Sequence, residues 1–137
     1  MNDDAPIDGE KLRDLLLISP FHRWLGLEIK SQNDGQLELV MPWRDEIVSN
    51  PMVGAAHGGI LASLIDLTGL YSLIAAKAPV KATADLRVDY HKPAIGGTLT
   101  AIGRPIKLGR QISVAETSVF DSDKELLASG RGAYISR

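Results

Sequence analysis

There is no cysteine among the 137 residues, which removes disulfides, thiolate metal sites and cysteine nucleophiles together. There is no excess of positive charge either: 15 Lys and Arg stand against 17 Asp and Glu, a net charge of -2. No overall basic field therefore points to nucleic acid, and any anion-binding site must be local. No apolar stretch is expected to reach the length of a membrane span. The opening "MNDDAPIDGE" is acidic where a secretion leader would be basic, and the nearby "LLLI" is too short for a leader's apolar region. A cytoplasmic protein that works away from membranes is the expectation. His22, His57 and His91 are scattered, without the pairing that metal ligation needs. Neither a G-x-S-x-G elbow nor a phosphate-binding P-loop occurs.

What is present is the composition of a globular chain, 45% hydrophobic and 23% charged. Its length suits a single domain over residues 1–137 with a sizeable core. No repeat, low-complexity tract or linker divides it. Residues 1–20 read as an N-terminal extension in which Asp8 caps a short helix through Ile18. Leu12, Leu15 and Leu16 share one side of it, and Ser19-Pro20 stops it. "LGLEIKSQNDGQLELVMP" reads as two strands joined at Asn33-Asp34-Gly35. Trp43 to Ala56, with Asn50-Pro51 and Gly54, reads as an irregular loop.

A long helix follows, ending near Ala78-Pro79. Beyond it "ADLRVDYHKP" alternates strictly. Ala84, Leu86, Val88 and Tyr90 take one face, and Asp85, Arg87, Asp89 and His91 take the other, until Pro93 ends the strand. Three more strand-length segments, the first broken or bulged near Gly103 and Pro105, complete an antiparallel meander. A single long apolar helix needs cover on most sides, and a curved antiparallel sheet wrapped around it supplies that cover. The expected class is α+β.

The helix "AHGGILASLIDLTGLYSLIAA", Ala56 to Ala76, carries the chemistry. At 100° per residue, Ile60, Leu64, Leu67, Tyr71 and Ile74 share a broad face suited to the sheet. Asp66 falls opposite, between Ala62 and Leu70, where an unpartnered carboxylate is costly unless it has a use. Ala62, Gly69 and Ala76 recur every seven residues as a strip of small side chains. Such a strip suits either a second copy of the helix or close packing on its own sheet. At the helix start, N–H groups lack partners and positive partial charge gathers. Gly58 and Gly59 let a ligand reach the main chain there, and their amides suit a carbonyl oxygen that becomes an oxyanion during acyl transfer. From Gly59 to Asp66 the rise is ~10 Å at ~1.5 Å per residue. One chain's Asp66 therefore cannot act on a carbonyl held at its own helix start, and a partner with an antiparallel helix would have to supply it. The bland alternative is a structural Asp66 paired with Arg87 or Lys77.

Together these residues resemble the hotdog-fold thioesterases of the phenylacetate-pathway (PaaI-like) family. The matching pattern is Asn50, "HGG" at His57 to Gly59, Asp66 within "ASLIDLTG", and "TADLRVDYHKPA" from Thr83 to Ala94. The closing hairpins, "KLGRQISVAETSVFDSDKELLASGRGAYI", also fit, so the similarity spans nearly everything after Phe21. The resemblance implies a hotdog fold, dimers that often form homotetramers, and hydrolysis of acyl-CoA thioesters. By position it implies that Gly59 donates the amide that polarises the thioester carbonyl, with Gly58 beside it on the substrate. His57 would orient the loop or contact the substrate near that carbonyl. Asp66 of the other subunit would be the nucleophile or the base that activates water. Asn50 would hold the water or the substrate, and Thr83 would help position the nucleophile. By strand parity Thr83 sides with Asp85, so it reaches the site only if the strand's beginning departs from alternation or lies at a subunit junction.

Lys92, Arg104, Lys107 and Arg110 surround the loops after the alternating strand and suit the phosphates of CoA. CoA enters only as part of the substrate, and no cofactor is expected. Met52-Val53 and the Phe21-to-Leu25 segment suit an acyl pocket or a closure of the core. Two other classes stay open. One is a hotdog protein that binds acyl-CoA without hydrolysing it, which gives Asp66 no use. The other is a hydroxyacyl-thioester dehydratase, which the Gly58-Gly59 start with Asp66 fits poorly.

Overall fold

In the computed structural model, which describes residues 5–136, the Asp8 carboxylate accepts from the Glu10 N–H and starts α1 (Gly9–Leu16). Residues 1–4 of the acidic opening lie outside the described residues. Ser19-Pro20 does more than stop α1. The Ser19 hydroxyl accepts from the His22 N–H and caps a second helix, α2 (Pro20–Leu25), with Pro20 in its first turn, where a missing N–H costs nothing. Leu12, Leu16 and Leu25 are buried in the main core, so the N-terminal segment is part of that core.

The strands β1 (Glu28–Asn33) and β2 (Gln36–Met41) are joined by Asp34 and Gly35, at φ 53° and 75°. Two successive positive φ values give the tight turn that matches the twist of a hairpin. The segment read as an irregular loop is more ordered than expected. A single 3₁₀ turn at Asp45–Ile47 leads into a small hairpin of β3 (Val48–Asn50) and β4 (Ala55–Ala56). Then come the long helix α3 (Gly58–Ala75) and strands β5 (Ala82–Tyr90), β6 (Leu99–Lys107), β7 (Ile112–Phe120) and β8 (Leu126–Ile135). The helix ends before Ala78-Pro79, and Lys77 at φ 67° turns the chain away.

The large sheet has six antiparallel strands in the order β1-β2-β6-β7-β8-β5. The last four strands are therefore not a simple meander. β5 pairs with β8, the final strand, and forms one edge of the sheet. β6 runs unbroken through Gly103, and its register shifts only between Pro105 and Lys107. Gly103 is needed for a close approach, since a Cβ there would lie 3.0 Å from the Thr68 carbonyl of α3.

α3 packs against the sheet over a face only partly the one expected: Leu64 and Leu67 are buried as anticipated, but the buried side extends well beyond them. Leu61, Ile65, Thr68, Gly69 and Ser72 are buried, and the close contacts of Thr68, Gly69 and Ile65 are with Gly103, Tyr134 and Gly130 of the sheet. Tyr71 instead turns to the N-terminal helices, donating to the Leu15 carbonyl and meeting the His22 ring edge-on. A helix apolar on every side carries no periodicity from which its sheet-facing side can be read. Gly69 of the small strip packs on the helix's own sheet, against Tyr134 and Ala115. Over its 18 residues α3 has a mean hydropathy of 1.5, so, contrary to expectation, one segment is long and apolar enough for a membrane span. Half of it is buried inside the fold, the position of a core helix.

Candidate active site

Asp66 is on the flank of α3 that faces the edge strand β5, half-buried, and it is not alone. Its Oδ1 accepts from the Thr83 hydroxyl at 2.6 Å. Strict alternation would turn Thr83 away, but the register of β5 against β8 shifts between Thr83 and Asp85, leaving Ala84 as an extra residue. The bulge places Thr83 opposite Tyr134, and directly opposed residues of a sheet share a face. Tyr134 points into the helix, where its hydroxyl donates to the Asp66 carbonyl at 2.9 Å. Thr83 therefore comes to the helix side as well. Burial first, and then the charge of Asp66, push the Tyr134 phenol well above its usual value. Arg87, named as a structural partner for Asp66, pairs with Asp89 instead.

The helix start is held from two sides. His57 caps α3, its Nδ1 accepting from the Gly59 N–H at 2.9 Å, while its own N–H donates to the Ile47 carbonyl at 2.7 Å. The Gly59 amide expected to polarise a carbonyl is thus already occupied. The Gly58 N–H makes no protein hydrogen bond among the described residues. Across from it, the Tyr90 hydroxyl at the end of β5 donates to the Gly58 carbonyl at 2.7 Å. A Cβ on Gly58 would lie 3.2 to 3.4 Å from the Tyr90 ring and hydroxyl, so glycine leaves room for that contact. A cleft of about 260 Å³ opens here, lined by Ala56, Gly58, Leu61, Tyr90, Lys92 and Pro93. Neither tyrosine stood out in the sequence, although the alternation of β5 had put Tyr90 on the inward face.

Asn50 is exposed at the β3–β4 turn, where its side chain accepts from the Met52 N–H and its carbonyl from those of Val53 and Gly54. Its visible role is to shape the hairpin that leads into His57. Met52 is 91% exposed at the tip, so in this chain it closes no core. Trp24 of α2 likewise stays partly open, stacked on Phe21 and covered by the Arg44 guanidinium at 4.1 Å. The four basic residues expected around CoA are not together. Lys92 stands by the helix start, ion-paired with Glu125. Arg104 stands towards the opposite end of α3, near Ala75 and Ala76, and pairs with Glu116. Lys107 and Arg110 are exposed on the β6–β7 connection beyond it. Among the described residues no three His, Asp or Glu side chains are placed to share a metal ion.

The arrangement supplies an oxyanion-type donor and a held carboxylate, separated within one chain by about 12 Å of helix. The model of the thioesterase superfamily matches residues 53–128, more than half of the chain and all of the segment from His57 through β7. The medium/long-chain acyl-CoA thioesterase YigI of Salmonella typhimurium is 28% identical over 131 residues, covering 85% of this chain and 84% of its own. A solved structure described as from the thioesterase superfamily superposes with a TM-score of 0.88 at 39% identity, covering 94% of this chain and 98% of that one. The Escherichia coli PaaI protein of the phenylacetic acid degradation operon superposes with a TM-score of 0.73 at 25% identity, over 82% of this chain and 85% of that one. The chain belongs to the thioesterase superfamily and has its hotdog fold.

Proposed function

We propose that the protein is an acyl-CoA thioesterase that hydrolyses an acyl- or aryl-CoA thioester to the free acid and CoA. The observation that carries this reading is Asp66, a carboxylate on an otherwise apolar helix, aimed by the Thr83 hydroxyl at 2.6 Å. A protein that only bound acyl-CoA would have no use for a carboxylate so held. The Gly58 N–H, rather than that of Gly59, takes the thioester oxygen, because it is the free donor at the positive end of α3. Gly59 and His57 serve as the cap that fixes that end.

The two halves of the site come from two subunits. Eight residues of helix, about 12 Å, separate Gly58 from Asp66 in one chain, whereas an antiparallel partner helix brings the second Asp66 to the first Gly58. The edge strand β5 and the flank carrying Asp66 and Thr83 are the surfaces such a partner covers. The same pairing moves Lys107 and Arg110 of one subunit towards Lys92 of the other, so that CoA phosphates meet residues from both. Asp66 then either attacks the carbonyl carbon, forming an anhydride that water opens, or takes a proton from the water that attacks it. In the first route CoA leaves as thiolate and takes up a proton released when water opens the anhydride; in the second, Asp66 passes the proton it took from water to the departing sulfur.

The test is thiol release from a panel of aryl- and fatty acyl-CoAs, with Asp66→Ala and Asp66→Asn beside the wild type. The expected outcome is turnover in the wild type and a loss of ~10²-fold or more in both variants with folding intact. Binding of acyl-CoA without any thiol release would replace this reading with that of a carrier or sensor.

A further inference from the structure

Tyr90 has no part in the chemistry above, yet it touches the one peptide that links both halves of the helix cap. We infer that Tyr90 is a positioning residue that acts through the Gly58–Gly59 peptide to fix the tautomer of His57. Three contacts form an unbroken line. The Tyr90 hydroxyl donates to the Gly58 carbonyl at 2.7 Å; the N–H of that same peptide, on Gly59, donates to His57 Nδ1 at 2.9 Å; and Nδ1 can accept only while it carries no proton. While that bond is made, the ring proton sits on Nε2. No protein group among the described residues engages Nε2, and the ring is exposed, so the Nε2–H is the donor that His57 offers to a bound thioester.

The chain works in one direction. A hydrogen bond accepted by a carbonyl polarises the peptide and makes its N–H the stronger donor. A stronger donor at Nδ1 draws density from the ring and sharpens the Nε2–H. Packing favours the same arrangement. The Tyr90 ring lies so close over Gly58 that a Cβ there would be 3.3 Å from Cζ, and a Cβ on Gly59 would be 3.1 Å from His57 Nδ1. The two glycines therefore serve the two aromatic rings as well as the ligand. Tyr90 itself is placed by its pairing with Ala128 at the end of β5, just before the chain turns at His91.

The role of His57 towards substrate rests on the thioesterase reading, but its tautomer does not, and the experiment separates the two. Nitrogen-15 NMR of labelled protein reads Nδ1 and Nε2 of His57 directly, in wild type and in Tyr90→Phe, which keeps the ring and removes only the hydroxyl. The wild type should show the Nε2–H form, and Tyr90→Phe, in which the Gly59 N–H still faces Nδ1, should shift the ring populations measurably towards the Nδ1–H form. On the preferred acyl-CoA, Tyr90→Phe should lower kcat by about twofold, less than one neutral hydrogen bond's worth because the Gly59 bond to Nδ1 remains, with KM little changed. In a His57→Ala background the same substitution should have no further effect on kcat. A wild-type His57 protonated on Nδ1, or a Tyr90→Phe variant with unaltered ring signals, overturns the inference. Intact NMR behaviour in a protein that releases no thiol would overturn the thioesterase reading and leave the tautomer assignment standing.

Discussion

Thr83 Oγ1 lies 2.6 Å from Asp66 Oδ1, although the two residues belong to different elements and strand parity turns Thr83 outward. One inserted residue, Ala84, reconciles the two facts. A hydroxyl that donates to one carboxylate oxygen leaves the other free to act and limits rotation of the group. Thr83→Val removes the donor and keeps the shape. It should lower kcat by about tenfold, within the range of a hydrogen bond to a charged group, while Thr83→Ser should retain most of the activity. Steady-state kinetics of the three proteins decide this, and an unimpaired Thr83→Val would leave the contact structural.

Gly58 offers an unusually clean separation of a backbone donor from its surroundings. Proline is accepted in the first turn of a helix, where its missing N–H breaks no helical bond. His57, at ψ 134°, already has the extended conformation that a following proline requires. Gly58→Pro therefore deletes the proposed oxyanion donor, while Gly58→Ala keeps the N–H and imposes a similar steric load against Tyr90. The expected result is a loss of about 10²-fold or more in kcat for Gly58→Pro beyond any loss in Gly58→Ala. Equal activity in the two variants would mean that another amide binds the carbonyl.

Much of this was legible in the residues. The order of the main elements, the hairpin at Asp34-Gly35 and the helix start at "HGG" all follow from local signals that tertiary packing did not override. What escaped depended on contacts that composition does not mark, some distant in sequence and some only two or three residues apart. Ser19-Pro20 has the same composition whether it ends one helix or begins the next. The sheet-facing side of α3 could not be read because every side of the helix is apolar. The bulge at Ala84 is invisible in an alternation of alanine, leucine and valine, and it is what brings Thr83 to Asp66. Gly59 and Gly58 are equivalent in sequence, and only the His57 cap distinguishes the occupied amide from the free one.

Tyr134 ties the same helix turn to the sheet and gives it a dependence on pH. Burial, and then the Asp66 charge, raise its pKa in the folded protein above the ordinary 10.0. A group whose folded value is the higher contributes in full below the unfolded value, and the contribution is lost as pH rises above it. Urea unfolding of the wild type should therefore weaken above pH 10, and Tyr134→Phe should weaken less over the same window. Parallel curves for the two proteins would show that the alkaline loss arises elsewhere.

The proposed requirement for two subunits can be tested without a structure of the pair. On the proposed reading, Asp66→Asn and Gly58→Pro should each disable every site in their own homodimers, the first through the carboxylate and the second through the amide. If each site takes Gly58 from one chain and Asp66 from the other, a hybrid dimer has one site with both lesions and one with neither. Random exchange makes about half of the dimers hybrid, so about a quarter of the wild-type sites should return on mixing. The recovered activity should appear at the rate of subunit exchange and should keep the wild-type KM, because the intact sites are unaltered. A mixture that stays as inactive as its components, under conditions where labelled subunits demonstrably exchange, would place both groups of each site in a single chain. The spacing along α3 would then require Asp66 to act on something other than the carbonyl at Gly58.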